Sequence, residues 1–321
     1  MSTTLLSGGL AGEVVRRADA LADRDLRPDR LHYATGVLLD REDFQAEQLY
    51  HRGRLARAMA LLAGSGTVAG LRVTVEPVEG EDEELVRIAP GAAIDRLGRV
   101  IELPRSACLR LGRWMAHLAG EREDDLAAAR FLGAADDPVA TQAPGPDDQP
   151  PLEGAGDKAE WKAWTNGYVL ADVFLAFAPC ERGKTPAFAT GPFDALDAAQ
   201  PSRVRDGYEL ALVPRAHAPV PDDPWAALSA AGVEGRTRAA QRTLLERGWR
   251  DAVPEWDERR GVRPAVEHPP EVDPSGVLLA RLFIPVGAAG KSRDLAHRVL
   301  VNNHLRRFAY PGPALAWLAR Q

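Results

Sequence analysis

The sequence predicts an α+β fold in which β-rich units carry a long amphipathic helix and helical insertions. Three observations carry that expectation. Apolar residues recur at helical spacing between Asp40 and Ala63. The period switches to strand alternation after Gly64-Ser65-Gly66. Two later stretches, Tyr168–Phe177 and Val277–Val286, are almost continuously apolar, as buried strands are.

In chain order, Gly12 to Leu26 places Val14, Val15, Ala18, Leu21 and Ala22 at helical spacing, and Arg27-Pro28-Asp29 breaks the pattern. The next helix is the strongest local expectation. Asp40 supplies a cap, and Glu42 and Asp43 lie near the positive helix end. Phe44, Leu49, Tyr50, Leu55, Ala58, Met59, Leu61 and Leu62 form its apolar set. Glu47 and His51, and likewise Tyr50 and Arg54, stand one helical turn apart. Gly64-Ser65-Gly66 then ends the helix. Val68, Leu71, Val73 and Val75 read as one strand with a possible bulge at Gly70. Glu76 to Glu84 is a polar hairpin tip, and Leu85, Val86 and Ile88 begin the return strand. Ala92–Asp95 and Arg99–Leu103 flank Arg96-Leu97-Gly98, a hairpin loop with glycine at its last position.

Leu109 to Phe131 reads as partly helical. Gly133 to Asp157 is rich in Pro, Gly, Ala and Asp, and Glu121 to Glu160 carries 11 acidic residues against three basic ones, the composition of a linker or long surface loop. Tyr168 opens a strand expected to be buried on both faces. Tyr208–Val213 is another strand, Pro224-Trp225 opens a helical stretch through Trp249, and Val277–Val286 is a third strong strand. Ser292 to Phe308 is expected to be helical, with Leu295, Val299, Leu300 and Leu305 on one side. The organisation expected is an N-terminal helical arm (1–30), a helix plus β-hairpin module (31–110), a helix and acidic linker loop (111–165), and a second β-rich unit with a helical insertion and C-terminal helix (166–321).

At 321 residues the chain is long enough for one large domain or two ordinary ones, and its 45% hydrophobic and 27% charged content is that of a globular protein. A net charge of -6 gives no whole-molecule attraction to nucleic acid or an anionic membrane. No apolar run approaches the roughly 20 residues that cross a bilayer. MSTTLLSGGLAGEVVRR lacks the basic start and apolar core of a signal peptide, so cytoplasmic synthesis is expected. Cys108 and Cys180 lie far apart and outside any metal-like spacing, and read as two buried free thiols in a reducing compartment in preference to a disulfide.

Chemistry-bearing patterns are few. Asp43, Glu47 and His51 share one helix face and could meet a metal, but a solvated face with local ion pairs explains them as well. His297 and His304 would share a face of the last helix, with Asp294 as the nearest carboxylate. Asp95 and Glu102 flank one hairpin, where paired carboxylates are commonly solvated. Gly64-Ser65-Gly66-Thr67 follows a helix and precedes a strand, the reverse of a dinucleotide loop. No G-x-S-x-G and no Cys–His nucleophile pattern is present. No catalytic residue, cofactor or metal is therefore expected. From Val277 to Gln321 seven basic side chains, Arg306 and Arg307 among them, face one acidic residue, Asp294. The aromatics there do not interleave as a nucleic-acid stacking platform, so the expectation is a basic face docking on an acidic partner or on this chain's own acidic loop. Phe308 to Leu318 is apolar enough to be core or an interface anchor.

The segment Gly36 to Leu103 resembles a recurring module of proteins encoded with contractile phage tails and phage-tail-like injection systems. The matching parts are Gly36-Val37-Leu38-Leu39, then Glu42-Asp43-Phe44, Glu47-Gln48 and Tyr50-His51. Gly70-Leu71 and Val73 follow, and then Val86, Ile88, Pro90-Gly91, Ala93, Asp95, Gly98-Arg99 and Ile101. Where many relatives carry Trp-Gly-Val near the helix end, this chain has Ser65-Gly66-Thr67-Val68. The resemblance covers about a fifth of the chain. It implies a structural part of the baseplate or fibre network, with other baseplate, tube or fibre subunits as partners in a homo- and hetero-oligomeric particle and no catalytic residues to carry over. On this reading Phe44, Tyr50 and Met59 on the helix, Arg306 and Arg307, and Tyr310 and Trp317 near the C-terminus are the interface candidates. Two other readings stay open. One is a glycan-binding adaptor using some of the seven tryptophans (Trp161, Trp164, Trp225, Trp249 and Trp256 among them), and the other is an enzyme of unknown type.

Overall fold

A computed structural model describes residues 29–131, 164, 166–186, 199–217, 256–257, 261–269 and 272–309. The molecule mixes helix with several small antiparallel sheets, strand predominating. The expected helices at 12–26 and 224–249, the acidic loop at 133–157, and Tyr310 and Trp317 lie outside the described residues.

Helix α1 (Arg41–Ala63) starts where its cap predicts. Asp40 Oδ1 accepts from the Asp43 amide at 3.1 Å and Asp43 Oδ2 accepts from the Asp40 amide at 3.0 Å, a reciprocal capping box. Gly64, at φ +73°, ends it. Its apolar residues do not form an inward stripe. The buried positions are Gly53 and Ala56, while Phe44, Leu55 and Leu62 are exposed. The helix is therefore docked by its smallest residues.

The strand read across Val68 to Val75 is two strands in two sheets. β1 (Gly66–Gly70) pairs with β4 (Gly91–Ile94), which pairs with β5 (Val100–Leu103). β2 (Val73–Pro77) pairs with β3 (Glu84–Ile88), which pairs with β6 (Ala107–Arg110). Gly70 and Leu71, at φ +64° and +57°, turn the chain from one sheet to the other. A β-carbon at Gly70 would lie 2.0 Å from the Pro90 carbonyl oxygen, so glycine is required there. The irregularity in β1 falls between Thr67 and Ala69, not at Gly70.

Helices α2 (Leu111–Glu121) and α3 (Glu123–Ala128) then lead into β7 (Arg130–Phe131). The main sheet runs β11 (Tyr208–Pro214), β8 (Tyr168–Phe177), β14 (Val277–Pro285), β15 (Leu300–Asn302), with β7 also on β8. β9 (Cys180–Pro186) and β10 (Ala199–Arg205) form an exposed ribbon, and β12 (Trp256–Asp257) pairs with β13 (Gly261–Val262). Every residue of β8 and β14 is buried, as their near-continuous apolar sequences require.

One face of β8 (Val169, Ala171, Val173, Leu175) packs with Leu71, Val86, Ile101 and Leu103 and with Leu111, Trp114 and Met115 of α2 in a single continuous core. The other face splits into two smaller clusters, Leu170 with Phe283 and Leu300, and Phe174 with Val213 and Leu278.

Residues 292–308 are not a helix. Leu300-Val301-Asn302 extend the main sheet, and Asn302 and Asn303 spend their side chains on backbone groups. Asn302 Oδ1 accepts from the His304 amide at 2.9 Å. Asn303 accepts from the Val73 amide at 2.9 Å and donates to the Val73 carbonyl at 3.0 Å. Such side-chain bonds compete with a helical backbone, and β-branched residues favour strand. The cysteines are free, as expected, but both are exposed rather than buried.

Candidate functional site

The interface residues expected from sequence fall in two groups. Phe44, Tyr50 and Met59 all lie on α1. Phe44 is 51% exposed, and so are Leu55 at 63% and Leu62 at 85%. Tyr50 is partly buried, packed edge-on against His51 at 5.4 Å with the Arg54 guanidinium 5.4 Å above its ring. Met59 is partly buried beside the docked face. Arg306 and Arg307 lie near the C-terminal end of the same helix and tie the chain to itself. Arg306 donates to the carbonyls of Gly70 and Leu71 and stacks on Phe308. Arg307 meets Glu267 at 3.3 Å, and its carbonyl accepts from the Thr67 amide at 2.9 Å.

Beneath α1 is a buried polar junction. The hairpin loop at Asp95–Arg99 meets the loop at 273–276. Asp95, fully buried, accepts from the Arg99 guanidinium at 2.6 Å and from the Leu97 and Arg99 amides. Arg99 reaches Ser275 Oγ at 2.8 Å, and Ser275 Oγ donates to Asp273 at 2.6 Å. Arg96 donates to the carbonyls of Arg263 and Pro274, each at 2.6 Å. Burial pushes the Asp95 carboxyl up to about 6, although Arg99 pulls the other way. Burial likewise holds Arg96 below its ordinary value, opposed by Glu267. His268 Nε2 is 2.8 Å from the Gly276 carbonyl, and burial lowers its pKa, which favours the neutral ring. Asp95 is thus not the solvated hairpin carboxylate expected. It is one end of a junction that holds the hairpin beneath α1 against the loop preceding β14.

A second buried charge cluster went unread in the sequence. Asp172 in β8 receives Arg281 of β14 on both oxygens, at 2.7 and 2.9 Å, and Arg215 at 3.3 Å. Asp172 and Arg281 are also register partners across the two strands. The signal was present: each is the single charge inside an otherwise apolar strand, and the two signs are opposite.

Other expected constellations come apart. Asp43 serves the helix cap, and Glu47 takes a hydrogen bond from Tyr33 that raises the tyrosine's pKa. Among the described residues no group of three or more His, Cys, Asp and Glu side chains is placed to hold a metal ion. With the last segment non-helical, His297 and His304 share no helix face. His297 Nδ1 instead sits 2.9 Å from Asp294, whose carboxyl this bond holds below its usual range. Trp164 is buried against Tyr168, so its ring is not open to a sugar.

A cleft of about 270 Å³ lies between α2 and the 291–295 segment, with Glu83, Glu84, Met115, Lys291 and Arg293 on its walls. Its charges are answered locally. Arg293 meets Glu84 at 2.7 Å, Lys291 meets Glu123 at 2.7 Å, and Glu83 accepts from the Gly112 amide at 2.6 Å. Among the described residues no helix is long and apolar enough to cross a membrane. What the geometry offers most plainly is a surface, the outward face of a long helix that buries only Gly53 and Ala56. No family model matches the chain, and no curated protein matches it.

Proposed function

We propose that this chain is a structural subunit of a contractile, phage-tail-like injection particle, placed at the baseplate or fibre-attachment layer. Its work is mechanical. Sheets fastened by buried ion pairs hold position, and α1 makes contacts with neighbouring baseplate, tube or fibre subunits. It acts without a cofactor or catalytic centre, and it assembles in the cytoplasm into a particle that is later released.

The observation that carries the reading is the exposure of α1. This helix of 23 residues buries Gly53 and Ala56 and leaves Phe44, Leu55 and Leu62 outside. Large apolar side chains aligned on an exposed face mark protein interaction surfaces. The same helix, with the hairpin beneath it, is the segment that resembles the phage-tail-like module.

The test is purification of the tagged chain from its own cell under gentle conditions, with electron microscopy and mass spectrometry of the eluate. Sheathed tubular particles carrying the protein at one end, together with sheath and tube proteins, are the expected result. A homogeneous small oligomer without particle proteins overturns the reading.

A further inference from the structure

Phe44, Gln48, His51, Leu55, Ala58 and Leu62 follow one another at alternating spacings of four and three residues along α1. That is the a/d spacing of a heptad seam, sustained over most of the helix. All six are exposed. On the far side of the helix lie Gly53 and Ala56, its two buried residues, and it is here that α1 meets the body; Ala46 shares the heptad position of Gly53 but is itself exposed. Among the described residues the seam therefore lies on the face turned away from the buried Gly53 and Ala56. A helix whose buried residues are glycine and alanine while Phe44, Leu55 and Leu62 stay exposed is the reverse of a surface helix serving only its own core.

We propose that the outward face of α1 is a parallel coiled-coil seam, and that its occupant is α1 of a second copy of this chain, paired in register. Charge complementarity selects the occupant and its direction. In a parallel pair the residue flanking each seam position meets the residue five positions further along the other helix. Glu47 of each copy then meets Arg52 of the other, twice by symmetry. Glu47 already accepts from Tyr33, and a carboxylate has acceptor capacity for both partners. The antiparallel alternative that sets Phe44 against Leu62 brings Arg52 against Arg52 and Arg54 against Arg54, which like charges disfavour. In the parallel register Leu55 meets Leu55 and Leu62 meets Leu62. Gln48 and His51 place two polar layers in the seam, which weaken the pair but penalise slipped registers. The helix spans about 34 Å, on the order of three heptads, so the pair is reversible in dilute solution and strengthened wherever an assembly holds copies close. This inference concerns self-association and does not depend on the identity of the larger particle.

Disulfide trapping in the full chain tests it. Cys108 and Cys180 are free and exposed, so Cys108→Ser and Cys180→Ser clear the background. Into that chain Leu55→Cys, Leu62→Cys and, on the opposite face, Ala46→Cys are introduced singly. Parallel pairing gives rapid like-to-like crosslinks for Leu55→Cys and Leu62→Cys, at least tenfold faster than for Ala46→Cys. Sedimentation equilibrium gives a dimer that becomes monomeric with Leu55→Arg plus Leu62→Arg, while the thermal transition stays in place. Three results overturn the proposal. One is a monomer throughout a concentration series into the millimolar range. Another is a dimer that survives the double arginine variant. The third is crosslinking only between mixed Phe44→Cys and Leu62→Cys chains, which marks an antiparallel pair. A monomer whose α1 amides lose hydrogen-exchange protection on removal of residues 1–28 assigns the seam to the chain's own N-terminal segment and equally overturns it.

Discussion

Gly98 lies against the backbone of Ala56, so close that a β-carbon on Gly98 would stand 1.8 Å from the Ala56 carbonyl oxygen. Gly98 also holds φ +85°, a conformation that side chains other than glycine adopt at a cost. One glycine thus closes the hairpin loop and forms the seat of α1. Gly98→Ala is expected to cost at least about 1–2 kcal/mol from the backbone conformation alone. Because the obstacle is main chain, the helix must also lift. Hydrogen exchange should show α1 amides losing protection while those of β8 and β14 keep theirs. Unchanged protection across α1 would show that the helix is not seated on this turn.

The Asp95–Arg99 pair beneath that seat carries a pH signature. The Asp95 carboxyl is raised from 3.8 to about 6 in the folded protein, chiefly by burial. A raised carboxyl pKa means that the folded state binds the proton more tightly. Its contribution to stability is fully present below about 4 and is lost as pH rises through about 6. The stability difference between the parent and Asp95→Asn should therefore move in the parent's favour on acidification from pH 7 to pH 4, by an amount on the order of 3 kcal/mol. Urea unfolding of both proteins across that range measures it, and a pH-independent difference contradicts the assignment.

Asp172 faces two arginines inside the main sheet, and both Asp172 and Arg281 are fully buried. Removing one charge from a buried pair strands the other, typically at about 3–5 kcal/mol. Asp172→Leu alone, leaving Arg281 and Arg215 uncompensated, should reach that range and lower expression. Asp172→Leu with Arg281→Met and Arg215→Met restores charge balance with apolar volume, and should recover most of the loss. Denaturation midpoints of the two proteins decide the matter. A triple variant no better than the single one would mean that the cluster's packing, rather than its charge, is essential.

These strands also show what was legible in advance. Continuous apolar sequence located β8 and β14, and Asp40 with Gly64 located α1, because buried strands and helix caps are written in adjacent residues. The turn at Gly70-Leu71 was less legible, since a chain switching sheets keeps the same alternation on both sides. The helix expected at 292–308 failed for a related reason. Leu295, Val299 and Leu300 fit a helical stripe, but Asn303 is recruited by Val73, 230 positions earlier in the sequence. Which face of α1 docks was not legible in its apolar set, because the buried positions are Gly53 and Ala56. Here close approach to Gly98 selects small residues instead. Of the interface candidates, Phe44 is at an exposed site, whereas Arg306 and Arg307 each engage their own chain.

The Asn303–Val73 contact is itself testable. Both hydrogen-bonding groups of the Val73 backbone are met by one amide side chain, which acts as a short length of strand beside β2. Asn303 is buried, and Val73 is fully so. Asn303→Ala leaves an amide and a carbonyl without those partners, at about 1–3 kcal/mol for each group that stays dry. Asn303→Asp keeps the acceptor for the Val73 amide but turns the donor into a second acceptor facing the Val73 carbonyl. An ionised carboxylate in that position should destabilise at neutral pH and recover towards pH 4, as protonation supplies a donor again. Asn303→Ala should show no such recovery relative to the parent. Urea unfolding of the three proteins at pH 7 and pH 4 separates the cases. Parallel behaviour of the two variants would show that the Val73 carbonyl does not depend on Asn303 for its hydrogen bond.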